Sequence, residues 1–384
     1  MKFIARAVKA AAVAAALAMA AAPASAGTFV YVSAADDAEI VTYALQPDGS
    51  LQAGPRVKSD KLVMPMAVSP DKKRLYAALR SKPYAVAVFS IDARTGELAL
   101  LGKAPLAESF PYISLDRTGR TLFGASYGGH LVAAQALGPD GLPTRADPQV
   151  IPTGRNAHSI IIDRTNRWVF VPHLGSDQIF QFRYDAKTGR LASNTPAVVL
   201  MKQGTGPRHI ILSADNRFAY LLSEMVGTVT TLSLDQKTGL LTEVGAVSML
   251  PPDSKLVPGV PRGAVGTPGA NQAPRDTSSD VWASDLHLTP DGRFLYAAER
   301  TGSQISGFSV DGATGKLTPL GGTTPTEAQP RGFAIDPTGR FMVVSGEKSD
   351  TISVYAIESS GALRFLQKYP TGKGSNWVEI VRFD

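Results

Sequence analysis

Thr289-Pro-Asp-Gly-Arg-Phe-Leu-Tyr296, then Ile305-Ser-Gly-Phe308, then Asp311-Gly-Ala-Thr-Gly-Lys-Leu317, is the stretch that decides the fold. A polar turn leads into an apolar strand ending in an aromatic residue. A second strand follows, and an Asp-x-x-Thr-Gly-x-Leu hairpin closes the unit. Asp71 to Tyr76 with Asp92 to Leu98 is another copy. Further copies run from Asp116 to Phe123, from Asp163 to Phe170 with Asp185 to Leu191, and from Asp215 to Tyr220 with Asp235 to Leu240. Asp336 to Val343 is a sixth, and Thr28 to Val32 with Asp48 to Leu51 is a seventh that lacks its first strand.

Spacing converts the repeat into an architecture. Tyr31, Tyr76, Phe123 and Phe170 fall about 45 to 47 residues apart, as do Tyr296 and Val343. A period of roughly 40 to 50 residues with several short strands per unit specifies an all-β propeller. Glycine in the Asp-Gly and Thr-Gly dipeptides reaches positive φ without a Cβ clash, which suits tight turns. Trp377-Val-Glu-Ile-Val381 reads as the strand missing from the N-terminal unit. The expectation is therefore seven blades, the ring closed by N- and C-terminal strands that share a blade. Closure removes the sheet edges an open array would expose.

The period breaks once. Tyr220 to Tyr296 is about 76 residues, and the excess lies in a Pro/Gly/Ala-rich insertion at 251–280. An insertion of this kind is expected to be a wall over one face of the disc. Lys2, Arg6 and Lys9, an apolar run from Ala10 to Ala22, and Ala24-Ser25-Ala26 before Gly27 have the layout of a secretory signal peptide. The expectation is residues 1–26 as signal peptide, cleaved after Ala26, and 27–384 as one propeller domain in the periplasm.

The formal charge is +6, and +3 without Lys2, Arg6 and Lys9. The basic residues are scattered, which argues against a nucleic-acid partner. No stretch is apolar and long enough for a membrane span. There are no cysteines, so thiol nucleophiles and disulfides are excluded. No Gly-x-Ser-x-Gly elbow or helical His-x-x-x-His zinc pair occurs.

Propeller sites gather where the innermost strands converge, so polar residues opening those strands are candidates. They are His158, Arg208, His209, Asp285, His287 and Arg331. Glu224, Arg300 and Lys348 follow directly after second strands. Ester hydrolysis needs a base for water and a donor for the oxyanion. His158 or Glu224 supplies the first, and Arg208 and Arg300 the second. Arg120, Arg293 and Arg340 sit in the repeated turn and are expected to be structural. His130 and His173 read as loop residues without a clear partner.

These residues resemble the seven-bladed propeller lactonases grouped with bacterial 6-phosphogluconolactonase and related to fungal carboxymuconate-cyclising enzymes. Matching stretches are Asn156-Ala-His-Ser159, Gly206-Pro-Arg-His209, Asp285 to Tyr296, Glu299-Arg-Thr301, Gln329-Pro-Arg-Gly-Phe333, Gly346-Glu-Lys-Ser349 and Gly374-Ser-Asn-Trp377. The resemblance implies a catalytic quartet of His158, Arg208, Glu224 and Arg300. His209, Asp285, His287, Arg331 and Lys348 are expected to bind substrate. With one carboxylate in the quartet, neither metal nor other cofactor is expected. The implied substrate is a small-molecule sugar lactone. The export signal favours glucono-1,5-lactone over its 6-phosphate, and a non-catalytic envelope binding propeller is the alternative of a different class.

Overall fold

The computed structural model describes residues 27–264 and 275–383. The export-signal reading and the middle of the insertion therefore lie outside the described residues. The described chain forms seven antiparallel sheets of four strands, one of them with a short extra strand. Blade 1 combines Ser375–Arg382, Thr28–Ala34, Glu39–Leu45 and Leu51–Lys58, in that order outward. Blade 2 spans Val63–Val68 to Leu98–Pro105, and blade 3 spans Tyr112–Leu115 to Gln149–Pro152. Blade 4 spans Ile161–Ile162 to Arg190–Leu200, and blade 5 spans Pro207–Leu212 to Leu240–Ser248. Blade 6 spans Ala283–Leu288 to Leu317–Pro319 with Thr324–Pro325 added, and blade 7 spans Pro330–Ile335 to Leu363–Pro370.

Ring closure follows the register that the repeat anticipates. Phe29 pairs with Val381, Val30 with Ile380, Tyr31 with Glu379 and Val32 with Val378. Each inner strand presents apolar side chains on both faces because each blade is packed between two others. Val30 and Val32 meet Val343 and Val354 of blade 7, while Phe29 and Tyr31 meet Leu75 and Phe89 of blade 2. An apolar cluster of this kind fills each of the seven blade interfaces. The fourth strands face water, as the largely exposed Leu51–Lys58 shows.

The turn repeated along the chain has a mechanical role. The Asp116 carboxylate accepts the N–H groups of Arg120 (2.7 Å) and Thr121 (2.8 Å), and Asp336 does the same for Arg340 (2.8 Å) and Phe341 (2.7 Å). Arg293 and Arg340 then reach carbonyls of the next blade, Ser359 and Pro47, at 3.2 and 2.7 Å. The repeated aromatic residue staples blades as well. Tyr31, Tyr76 and Tyr296 donate to the carbonyls of Gly96, Gly141 and Gly361 at 2.9, 2.7 and 2.7 Å. Those glycines have φ of 71°, 80° and 85°, which an L side chain would resist.

Deleting residues 375–384 removes the innermost strand of blade 1 and leaves Thr28–Ala34 as an open edge. The deletion should lower the melting temperature by roughly 10 °C or more. Thermal unfolding unchanged from the intact chain would argue against closure as a stabilising device.

Candidate active site

Two simple rules of backbone position build the site. First, the pairing of innermost and second strands slips at the start of the blade. The slip lies between Pro207 and His209 in blade 5, between Ala283 and Leu286 in blade 6, and between Pro330 and Gly332 in blade 7. Blades 1 and 2 slip at the corresponding place. A β-bulge leaves one residue unpaired and re-aims its side chain. In blades 5 and 7 that residue is Arg208 and Arg331. In blade 4, Ala157 bridges His173 and the next pair is Ile161 with Phe170, so the three residues 158–160 oppose the two residues 171–172 and His158 lies in the irregular stretch. Second, the residue after each second strand lies beside the channel. In blades 1 to 7 these are Ala35, Arg80, Tyr127, Leu174, Glu224, Arg300 and Glu347.

The two sets meet in a cavity of about 50 Å³ lined by Arg80, Tyr127, His158, Arg208, Glu224 and Arg300, among others. All four residues of the expected quartet are buried there, none above 5 % exposed. Glu224 Oε2 accepts from both Arg208 Nε, at 2.7 Å, and Arg300 Nη2, at 3.0 Å. Arg208 also donates through Nη1 to the Ser284 carbonyl and to His209 Nε2, the latter at 2.9 Å. Because arginine only donates, His209 Nε2 accepts and its Nδ1–H donates to Asp285 Oδ1 at 2.8 Å. Arg331 pairs with Glu347 at 2.7 Å. Arg300 and Arg262 both place their guanidinium carbons over the Trp282 indole, at 3.6 and 3.8 Å from a ring centroid.

Arg262 and Gly263 belong to the insertion, and they line this cavity together with Trp282 and Arg331. The same four residues border an adjoining space of about 450 Å³ whose rim includes exposed Asp36 and Lys348. Tyr127 Oη donates to the Arg262 carbonyl at 2.7 Å, and Gly259 N–H donates to the Met225 carbonyl at 2.7 Å. Arg262 and Gly263 of the insertion thus border the cavity that holds the quartet.

Burial, reinforced by Arg208 and the neighbouring cations, holds His158 well below the ordinary histidine pKa, so the ring is neutral. Its Nδ1 has no hydrogen-bond partner among the described residues. Burial takes His209 down to about 3 despite the Asp285 contact. Burial also lowers Arg300, to about 9, against the opposing field of Glu224.

The remaining expected site residues are divided by the fold. Arg331 lines the quartet cavity, and Lys348 stands at the outer rim. His209 lies behind Arg208 as its acceptor. Asp285 and His287 lie further along the innermost strands, in a separate cavity of about 290 Å³ with Tyr112, Trp377 and Glu379. In blade 6 the bulge itself holds Ser284 and Asp285, and the Asp285 carboxylate accepts from His209 and His287 rather than reaching the quartet. His130 and His173 correct the sequence reading. His173 ends a strand, with Nε2 2.8 Å from Thr153 Oγ1, and His130 Nδ1 accepts from the Asn156 N–H at 3.0 Å. Sequence reasoning missed Arg80, Tyr127, Glu347, Arg262 and Trp282. Counting one residue past every second strand would have found the first three.

The lower cavity titrates in a defined direction. Burial raises Glu379 to about 7, although the Trp377 indole N–H donates to it at 2.9 Å. A carboxyl raised in the folded state keeps a proton that the unfolded chain has lost, so its contribution to stability falls as pH rises from about 4.5 to 7. His287, raised by Asp285 against the effect of burial, adds a loss above about 6.5, whereas the depressed His158, His173 and His209 act oppositely below that pH. Glu379→Gln removes the first contribution and reduces the second, because the Glu379 charge also helps raise His287. Its melting temperature relative to the unsubstituted protein should climb between pH 5 and 7 and level off above pH 8. A difference independent of pH in a thermal-unfolding series would refute the assignment.

Comparison with known proteins agrees with this architecture. Residues 26–380 match the family model described as lactonase, 7-bladed beta-propeller. The chain is 37 % identical over 356 residues to 6-phosphogluconolactonase of Serratia proteamaculans, covering 92 % of this chain and 98 % of that protein. The corresponding protein of Cronobacter sakazakii is 36 % identical over 356 residues, with the same coverage. Among solved structures, the periplasmic gluconolactonase of Pseudomonas aeruginosa is 28 % identical, with a TM-score of 0.78, covering 94 % of this chain and 99 % of that one. A seven-bladed ring closed by its own ends, with a cationic cavity at the channel and relatives of this kind along nearly its whole length, places the chain in the seven-bladed β-propeller lactonase family, hydrolases of a lactone ester bond.

Proposed function

We propose that the chain hydrolyses glucono-1,5-lactone to gluconate after export to the periplasm and cleavage behind Ala26, using His158, Arg208, Glu224 and Arg300. The observation that carries this reading is one buried carboxylate held by two guanidinium groups beside a neutral, unpartnered imidazole. Glu224 Oε2 is committed to both arginines and so serves to orient them. His158 Nδ1 has no such commitment. It therefore takes the proton of the attacking water. Arg208 and Arg300 face the charge that develops on the carbonyl oxygen, and Glu224 fixes them in place before the reaction.

The cavity at the quartet holds little more than a water or two. The sugar ring accordingly occupies the adjoining space of about 450 Å³, with its carbonyl at the quartet. In this reading Arg331, Lys348 and Trp282 contact the ring and its substituents, and the insertion forms a wall around it. His209, Asp285 and His287 support Arg208 from behind rather than touching the ligand.

A second substrate within the same reaction is favoured by charge. Arg80, Arg208, Arg262, Arg300, Arg331 and Lys348 line the two cavities against Asp36, Glu224 and Glu347. That excess of cations suits the 6-phosphate of the lactone better than the uncharged sugar. The name of the P. aeruginosa neighbour supports the first substrate, and the names of the 6-phosphogluconolactonase relatives support the second.

Proton release by the purified protein, measured above the uncatalysed background with each lactone, decides between them. His158→Gln should lower kcat by roughly 10²- to 10⁴-fold. Arg208→Lys should lower it by about 10²-fold although the charge is kept, because lysine cannot reproduce the guanidinium fork. Wild-type rates in both variants would make the quartet structural.

A further inference from the structure

Arg80 is a charged residue of the cavity to which the reaction just described gives no role. It follows the second strand of blade 2, the same position that supplies Glu224 in blade 5 and Arg300 in blade 6. In a ring of seven, blade 2 faces the junction of blades 5 and 6. Arg80 therefore looks across the channel at the Glu224–Arg300 pair.

Its environment is unusual for a guanidinium. Arg80 is only 3 % exposed. Its backbone N–H donates to the Leu62 carbonyl at 3.1 Å and its Nε to Ser109 Oγ at 3.0 Å. Among the described residues Nη1 has no partner and no carboxylate forms an ion pair with the side chain. The nearby acid, Glu347, is already held by Arg331 at 2.7 Å. Burial, with Arg331 adding to it, lowers the Arg80 pKa to about 9. A buried charge without a counter-charge is strongly unfavourable, and such a group is retained where an anion arrives to meet it. A second unsatisfied atom borders the same cavity, His158 Nδ1. Two residues lining one cavity thus each carry a buried polar atom without a partner among the described residues.

We propose that Arg80 is a ligand-anchoring residue whose free Nη1 takes an oxyanion of the bound ligand, a phosphate or carboxylate group, across the channel from the Glu224–Arg300 pair. Two sources supply that chemistry: a phosphate substituent on the lactone, or the carboxylate that ring opening creates. The anion subsite stands on Arg80 itself, and only the choice of sources rests on the lactonase reading.

Calorimetric titration with inorganic phosphate and with gluconate tests the subsite without any turnover. The unsubstituted protein should bind at least one of them, and Arg80→Gln and Arg80→Met should bind it about ten- to a hundredfold more weakly. Loss of phosphate binding alone assigns the substituent, and loss of gluconate binding alone assigns the product. The melting temperatures of both variants should hold or rise, because an uncompensated buried charge has been removed. Arg80→Lys, which keeps the charge but loses the fork, should fall between, and it keeps the test open if a neutral variant does not fold. No anion binding by the unsubstituted protein, or equal affinity in the variants, would overturn the proposal. A lower melting temperature with unchanged affinity would also overturn it, since Arg80 would then be structural. Absence of lactone turnover would sink the lactonase reading and leave this binding result standing.

Discussion

The pairing of Thr28–Ala34 with Ser375–Arg382 is the constraint on which the other contacts rest. Seven sheets in a row have two raw edges and no channel. Bringing the chain ends into one blade completes its four strands and packs each blade between two others with an apolar cluster at each interface. The ordering entropy of a closed loop this long grows only slowly with its length, so the pairing and packing of one strand can offset it. Convergence of the innermost strands is a consequence of closure. Residues distant in the chain, such as Arg80 and Arg300, face one another because the ring is complete.

Convergence also creates an electrostatic problem. Buried Arg80, Arg208 and Arg300 and the partly buried Arg331 crowd one cavity, where like charges are poorly screened. Glu224 answers for two of them and Glu347 for a third. Trp282 receives Arg300 and Arg262 on its indole, and a π face offsets part of the desolvation cost. The cavity that results is held open by charge as much as by shape, with its donors oriented before any ligand enters. Such preorganisation suits a reaction whose transition state is more anionic than its substrate.

Sequence disclosed the fold and part of this site. The repeated turn, the Thr-Gly hairpin and the spacing of Tyr31, Tyr76 and Phe123 are local devices, each carried by neighbouring residues, so they are legible without coordinates. His158, Arg208, Glu224 and Arg300 were recognisable from short motifs. Grouping Asp285 and His287 with them was less secure, because a strand start specifies a place along the channel only if the bulge is known. A bulge is a property of two strands, and neither strand shows it alone. Lys348 illustrates the same limit: the position equivalent to Glu224 and Arg300 in blade 7 is Glu347, one residue earlier. Arg80 sits in Leu79-Arg80-Ser81, an ordinary strand exit that gains meaning only from the other blades.

The repeat also explains how a symmetrical scaffold yields an asymmetric site. Seven equivalent positions after the second strand carry Ala35, Arg80, Tyr127, Leu174, Glu224, Arg300 and Glu347. Backbone geometry is nearly constant among them, so each change of side chain alters chemistry with little change of fold. The apolar members belong to blades 1 and 4. Leu174 packs with Tyr127 and Met225 in a small cluster beside the cavity, and Tyr127 meets His158 edge to face, its ring centroid 5.7 Å away. An uncharged side next to the imidazole withholds the hydration that would favour a charged ring. Burial keeps His158 neutral, and the guanidinium groups of Arg208, Arg331 and Arg300 in the same cavity reinforce it. Proton acceptor and cationic donors therefore share one space. That arrangement is set by which blade bears which side chain, and it persists only as long as the ring keeps those blades in order.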